Sequence, residues 1–257
     1  MLINIPLVDS VGNNVVLEGY LTIPDDSKDR TTSNTKRNSL VIFVHGSGSS
    51  KDSSRNQSLS QLLNKNGIAT FLFDLLTKEE EESDNKVEKI LQKQVPGLTL
   101  NKFNISLLVE RLIKVTNYLL QIAELKRGET SLNIGYFGAS TGVAAALYAS
   151  GKISEPTAIK TIVSRGGRPN LISSLISDYN NKDIIGKIKY LPFLFIIGQK
   201  DKLVLDWTKN FIKNKKLVKN SKIEIIKDAS HLFEEEGKLE KVGDIAENWF
   251  IQHLQMQ

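Results

Sequence analysis

Apolar strand patterns and amphipathic helix patterns alternate along this chain of 257 residues, and this alternation constrains its fold more than any other feature. Two strands are predicted at 2–7 and 14–23, and a continuous apolar run at 40–44 is typical of a strand buried on both faces. Further strands are predicted at 68–74, 132–137, 158–164, 191–197 and 222–226, and helices at 56–66, 104–126, 141–150, 169–178, 204–214 and 238–254. The alternation predicts an α/β fold with a mostly parallel central sheet of about eight strands and helices on both faces.

A short glycine-flanked serine turn lies between the strand predicted at 132–137 and an alanine-rich helix. Residues 138–142 read Gly-Ala-Ser-Thr-Gly, which fits the pattern G-x-S-x-G. In a strand–turn–helix setting this pattern holds a serine at a strained position, with its Oγ above the sheet. The alternative is an N-cap serine after a glycine turn. We take Ser140 as the candidate nucleophile.

A glycine- and serine-rich loop, His45-Gly46-Ser47-Gly48-Ser49-Ser50, follows the strand at 40–44. A backbone N–H after such a strand stabilises an oxyanion together with the N–H of the residue that follows the nucleophile. Here these donors would be Ser47 and Thr141. A phosphate loop is the rival interpretation, but the chain has no G-x-x-x-x-G-K-[ST] pattern. We expect His45 to orient this loop rather than to take part in chemistry.

The candidate base and acid follow the last two predicted strands. Of three histidines in the chain, His231 lies after the strand at 222–226, and Asp201 lies just past the end of the strand before it. Asp206 is the alternative acid, although it falls inside a predicted helix. The order Ser140, Asp201, His231 is that of a catalytic triad in which the histidine is the base and the aspartate orients it.

Five segments, FVHGSGSS, GASTG, SRGGRPN, GQKD and ASHLF, together resemble the dienelactone-hydrolase-like branch of the α/β-hydrolases. The resemblance extends over about residues 14–250 and is greatest to a subgroup of predicted hydrolases, some of which are fused to phosphoribosyltransferase domains. It implies the α/β-hydrolase fold and the same three triad residues. Dienelactone hydrolases themselves use a cysteine nucleophile, whereas this chain contains no cysteine. By analogy alone, a phosphoribosyltransferase is one conceivable partner.

These features predict a serine hydrolase that cleaves an ester, a lactone or a related small acyl substrate through an acyl-enzyme. The alternatives are a peptidase or acyltransferase with the same triad, and a binding or scaffold member of the fold without turnover. Arg165 and Arg168 are candidates for binding an anionic substrate group, with a structural turn as the alternative interpretation. We expect one domain over 1–257, with a small lid or insertion at about 76–103.

Charge and hydropathy limit which kinds of binding partner and which cellular location we expect. The 34 basic and 29 acidic residues give a net charge of +5, and the lysines are scattered, so we expect no nucleic-acid partner. The start, MLINIPLVDS, lacks the pattern of a secretory signal, and no apolar run reaches the ~18 residues of a membrane span. We therefore expect a cytoplasmic protein with a small-molecule acyl substrate, no metal and no cofactor. We also consider a homodimer.

Overall fold

The computed structural model describes residues 1–24, 38–91, 100–125, 131–155, 157–172, 175, 182–213 and 218–255. Within these residues the strands are β1 Leu2–Val8, β2 Asn14–Thr22, β3 Ser39–Val44, β4 Ala69–Phe73, β5 Asn133–Ala139, β6 Ile159–Arg165, β7 Phe193–Gly198 and β8 Ser221–Ile226. The α-helices are α1 Ser54–Lys65, α2 Lys78–Leu91, α3 Ile105–Leu119, α4 Gly142–Ser150, α5 Lys182–Ile188, α6 Lys202–Lys213 and α7 Lys238–Phe250. Short 3-10 turns lie at Asn101–Phe103, Ala123–Leu125 and Pro169–Ile172, and a π turn at Ile251–Gln255.

All eight described strands belong to one sheet, in the order β1-β2-β4-β3-β5-β6-β7-β8. The pairs β1–β2 and β2–β4 are antiparallel, and the others are parallel. Every residue of β3, β4 and β7 is buried, as expected for strands covered by helices on both faces. The predicted mostly parallel sheet of about eight strands is confirmed.

Two apolar layers, one on each face of the sheet, form the core. On one face, Leu112 of α3 and Ala145 of α4 belong to the same buried cluster as Tyr136 of β5. The Tyr136 hydroxyl shares a hydrogen bond of 2.9 Å with that of Thr116, so this buried polar group is satisfied. On the other face, α1 and α7 cover the sheet, and the rings of Phe43 and Phe137 lie 5.1 Å apart. Among the described residues, no helix is both long and apolar enough to cross a membrane.

Two predicted helices differ from the structure. The helix predicted at 104–126 ends at Leu119, and a 3-10 turn carries the buried Leu125 into the core, so the apolar spacing outlasts the helix. The helix predicted at 169–178 begins as the 3-10 turn Pro169–Ile172, and 173–174 and 176–178 lie outside the described residues. Part of the predicted lid is α2, whose first turn is closed by a capping box between Thr77 and Glu80.

The turn from β5 into α4 brings backbone against backbone. A Cβ added at Gly142 would lie 2.1 Å from the carbonyl oxygen of Val44 and 2.6 Å from that of His45. Only a residue without a side chain allows α4 to begin so close to the end of β3.

We therefore expect Gly142→Ala to lower the free energy of unfolding by about 1–3 kcal/mol or more, because the neighbouring carbonyls must be pushed apart. Gly186 of α5 is the matched control, since a Cβ there would meet nothing within 4 Å. Gly186→Ala should leave stability unchanged or raise it by up to ~1 kcal/mol. Urea unfolding of both variants checks this, and equal stabilities would contradict it.

Candidate active site

Ser140 lies in the turn between β5 and α4 and has the backbone conformation expected for a strained nucleophile turn. Its φ is 46°, in the left-handed region that residues with a side chain rarely adopt. The Ser140 N–H donates to the carbonyl of Arg165 at 3.4 Å, and the Ser140 carbonyl accepts from the N–H of Arg168 at 3.0 Å. A Cβ added at Gly46 would lie 2.7 Å from the Ser140 Cβ, so the serine packs tightly against the loop after β3.

The candidate acid and base contact each other directly. His231 Nδ1 lies 2.5 Å from Asp201 Oδ2. The hydrogen bond fixes the proton on Nδ1 and leaves Nε2 as an acceptor, the tautomer that a general base requires. The alternative acid, Asp206, is exposed on α6, and His231 is hydrogen-bonded to Asp201 instead.

The loops that carry the acid and the base are hydrogen-bonded to each other. The N–H of Lys200 donates to the carbonyl of Ala229 at 2.9 Å, and the Gln199 side chain accepts from the N–H of Asp228 at 3.0 Å. A Cβ added at Gly198 would lie 2.3 Å from the Ser230 carbonyl oxygen. These contacts fix the separation between Asp201 and His231.

Glu235 holds the loop that carries His231, and sequence reasoning missed it. Both of its carboxylate oxygens accept from the Ser230 N–H, at 2.9 and 3.0 Å, and its Oε1 lies 3.3 Å from Lys200 Nζ. These backbone hydrogen bonds lower the pKa of Glu235 to about 2. No sequence pattern singles this residue out, because it stands in a run of three glutamates.

The imidazole of His231 lies beside the backbone that contacts Ser140. Gly166 has a φ of 55°, and a Cβ added there would lie 3.2 Å from His231 Cε1. Gly166 directly follows Arg165, whose carbonyl accepts from the Ser140 N–H. The predicted serine, acid and base thus follow β5, β7 and β8 at the carboxyl edge of the sheet.

One of the two predicted oxyanion donors has a partner already. The Ser47 N–H donates to the Thr141 side-chain oxygen at 2.9 Å. The Thr141 N–H stands at the start of α4, where helical N–H groups have no intrahelical acceptor, and it has no acceptor among the described residues. The pair therefore offers one free N–H and one hydroxyl, rather than two free N–H groups.

His45 orients the loop after β3, as expected. Its Nε2 accepts from the N–H of Leu75 at 3.0 Å, so Nδ1 carries the proton and faces the Gly46 carbonyl at 3.0 Å. Burial lowers the pKa of His45, and the hydrogen bond to Gly46 only partly opposes this. The imidazole is therefore a neutral link between the loop and the segment after β4.

Lys51 anchors the other end of this loop. Its N–H and its ammonium group bind the two carboxylate oxygens of Asp74 at 2.7 and 2.6 Å. Burial lowers the pKa of Lys51, but the hydrogen bond and charge of Asp74 outweigh burial, so the pKa stands above its ordinary value. The loop is thus held at both ends to the segment that follows β4.

A cavity of about 240 Å³ opens over this loop. Its lining combines the loop and Thr141 with apolar side chains (Leu75, Leu76, Leu108) and polar ones (Glu81, Asp84, Asn85, Lys102). Burial and the nearby Asp74 and Asp84 charges raise the pKa of Glu81. Within the described residues, no group of three or more His, Asp and Glu side chains is placed to hold a metal ion.

Helix α2 forms one wall of the cavity. The buried Arg111 of α3 donates to Glu80 Oε1 of α2 at 2.8 Å. Asp84 accepts from the N–H groups of Asn101 and Lys102, both at 2.8 Å. These contacts fix α2 to α3 and to the 3-10 turn Asn101–Phe103, which precedes α3. Of the lid predicted at about 76–103, residues 92–99 lie outside the described chain.

The two candidate substrate-binding arginines have protein partners. Arg165 is buried, and its Nη2 donates to Asn56 of α1 at 3.2 Å. Burial, with the charge of Arg55, lowers the pKa of Arg165 to about 10. The guanidinium of Arg168 lies 4.8 Å from the ring centre of Trp207, a cation–π contact. Their binding of a substrate anion stays a prediction.

Comparison with known proteins identifies the family. No family model matches the chain. The crystal structure of a dienelactone hydrolase from Anabaena variabilis is 33% identical, covers 99% of this chain and 97% of that one, and superposes with a TM-score of 0.76. This chain belongs to the dienelactone-hydrolase-like branch of the α/β-hydrolases.

More distant α/β-hydrolase structures share the fold. Est1E from Butyrivibrio proteoclasticus is 16% identical, covers 97% of this chain and 98% of that one, and has a TM-score of 0.64. An esterase from Pyrococcus furiosus is 17% identical, covers 99% of this chain and 92% of that one, and also has a TM-score of 0.64.

Two curated relatives from Mycobacterium tuberculosis, strains CDC 1551 and H37Rv, are provisionally named phosphoribosyl transferases. Each is 37% identical over 248 residues, which make up 96% of this chain but 46% of the relative. The chain therefore spans about half the length of the curated relatives that it matches.

The neutral buried imidazole of His45 has a consequence for stability. The depressed pKa means that the unfolded state binds a proton more readily than the folded state, so stability is lost as pH falls below the unfolded value of about 6.5. We expect the free energy of unfolding to fall by up to ~1.4 kcal/mol per pH unit from this residue. His45→Gln should be less stable at pH 7.5 and lack this slope in urea titrations.

His253 is the control, since burial also lowers its pKa but it is remote from the loop after β3. His253→Gln should retain the pH dependence of the free energy of unfolding that His45 produces. Identical pH slopes in the wild type and His45→Gln would contradict the expectation.

Proposed function

We propose that this chain is a serine hydrolase that cleaves an ester, a lactone or a related small acyl substrate, with Ser140, Asp201 and His231 as its triad. The observation that supports the proposal most is the 2.5 Å hydrogen bond between His231 Nδ1 and Asp201 Oδ2. The φ of 46° at Ser140, in the turn between β5 and α4, adds to it. Membership of the family adds to this support. The same arrangement would serve a peptidase or an acyltransferase.

In the first half-reaction, Ser140 Oγ attacks the acyl carbon while His231 Nε2 takes the hydroxyl proton. Asp201 accepts a hydrogen bond from Nδ1–H throughout and stabilises the imidazolium that forms. Donors at Thr141 bind the oxyanion, and the positive end of α4 favours the negative charge. The C–O bond to the leaving group then breaks, and His231 returns the proton to the departing alcohol.

In the second half-reaction, water attacks the acyl-enzyme. His231 takes a proton from the water, and the tetrahedral intermediate collapses with release of the acid product. The same base then returns the proton to Ser140 Oγ, so the enzyme is regenerated without any other reactant.

The cavity of about 240 Å³ is the proposed acyl site, with α2 as its lid. Its three leucines favour an aliphatic or aromatic acyl group, and Glu81 favours a substituent that donates a hydrogen bond. Ser140 directly precedes Thr141, which lines this cavity, and a small acyl group would fill a volume of this size.

The names of the curated relatives suggest a phosphoribosyltransferase as a partner of this chain. The matched residues make up 46% of each relative, so the name of the whole relative need not describe the matched part. The phosphoribosyltransferase partner, the homodimer and the single domain over 1–257 stay predictions.

The nucleophile is tested by labelling with a fluorophosphonate. Wild-type protein should label at one site, and Ser140→Ala should neither label nor hydrolyse p-nitrophenyl acetate, with a loss of about 10⁶-fold in kcat. Ser58→Ala is the control, because Ser58 is exposed on α1. Labelling that survives Ser140→Ala would exclude this nucleophile. A wild type that neither labels nor turns over any ester, lactone, thioester or peptide would favour the binding protein.

The acid is tested by a pair of amide substitutions. Asp201→Asn should lower kcat by up to ~10⁴-fold with little change in thermal stability, because the imidazole is then held in the wrong tautomer. Asp206→Asn, on the exposed face of α6, should have wild-type kcat. The reverse result would assign the acid to Asp206.

A further inference from the structure

The hydroxyl of Thr141 has an unusual orientation for a residue at the start of a helix. A threonine at this position normally accepts a hydrogen bond from an N–H in the first turn. The Thr141 side chain makes no such cap, and its oxygen instead accepts the Ser47 N–H at 2.9 Å. The hydroxyl therefore links the loop after β3 to the residue that follows Ser140.

We propose that Thr141 supplies both oxyanion donors, its main-chain N–H and its side-chain hydroxyl, while the Ser47 N–H acts through that hydroxyl. This inference rests on the proposed hydrolysis through Ser140. It replaces the direct donor expected at Ser47 with a relay from the Ser47 N–H to Thr141 Oγ1 and from the Thr141 hydroxyl to the oxyanion.

The donor and acceptor capacities of a hydroxyl lead to this relay. A threonine hydroxyl has one proton and two lone pairs. The Ser47 N–H occupies a lone pair, and no described residue accepts the Thr141 hydroxyl proton, so the proton is available to a substrate. A hydroxyl that already accepts a hydrogen bond is polarised and becomes a stronger donor.

The position of Thr141 suits a substrate contact. Thr141, Gly46 and Ser47 all line the cavity, yet Thr141 is only 1% exposed, so water competes little for its hydrogen bonds. Its nitrogen and Oγ1 are separated by three covalent bonds. One oxyanion can therefore accept from both groups, next to the serine that carries the tetrahedral carbon.

A rival arrangement makes the opposite prediction. If the Ser47 N–H left Thr141 and bound the oxyanion directly, the threonine hydroxyl would compete with the substrate for that N–H. Removing the hydroxyl would then leave the rate unchanged or raise it. The relay requires that the same change lower the rate.

Thr141→Val and Thr141→Ser distinguish the two. Valine keeps the shape and the main-chain N–H but lacks the hydroxyl, whereas serine keeps the hydroxyl. With p-nitrophenyl acetate we expect Thr141→Val to lower kcat by about 10²–10³-fold with little change in KM, and Thr141→Ser to remain within about fivefold of wild type. A kcat of Thr141→Val equal to or above that of wild type would overturn the relay.

A second measurement separates an oxyanion contact from a purely structural role. A trifluoromethyl ketone forms a tetrahedral oxyanion adduct with an active serine, so its Ki should rise in proportion to the fall in kcat/KM across the variants. A Ki unchanged in Thr141→Val, despite a lower kcat, would overturn the assignment. If the valine variant does not fold, Thr141→Ala compared with Thr141→Ser isolates the hydroxyl, and equal rates would count against it.

The outcomes also separate this inference from the proposed function. A wild type that does not react with the fluorophosphonate refutes hydrolysis through Ser140 and the relay with it. A wild type that labels and turns over, with Thr141→Val as fast as wild type, refutes the relay alone.

Discussion

The first turn of α4 meets the end of β3 with backbone against backbone, and the geometry of the site depends on this approach. Because Gly142 has no side chain, α4 begins directly against the Val44 and His45 carbonyls. The chain enters the helix there through the left-handed conformation of Ser140. The same approach brings Thr141 within hydrogen-bonding distance of Ser47. Serine, helix end and loop are therefore positioned by one contact.

The candidate acid and base are positioned by different means. They depend on hydrogen bonds between two loops, such as that from Lys200 to Ala229, and on the Glu235 carboxylate beneath Ser230. The position of Ser140 depends on a strained backbone conformation, whereas the positions of Asp201 and His231 depend on polar contacts. The Asp201 and His231 loops share hydrogen bonds, so each loop helps to hold the other in place.

The sheet and the approximate places of serine, acid and base were predictable because each depends on local pattern. Parallel strands end at one edge of a sheet, so residues just past their ends converge whatever fills the loops. Contacts that depend on side-chain direction were not predictable. The role of Glu235, the orientation of the Thr141 hydroxyl and the burial of Arg165 against Asn56 each require a partner distant in sequence.

Glu80 has two partners, and this limits which substitutions α2 and α3 can accept independently. Its Oε2 accepts from the Thr77 N–H in the first turn of α2, and its Oε1 accepts from the buried Arg111. Loss of this carboxylate would weaken the start of the helix and its attachment to α3 together. Positions 80 and 111 therefore constrain each other, because a substitution at either one leaves the charged side chain of the other without this partner.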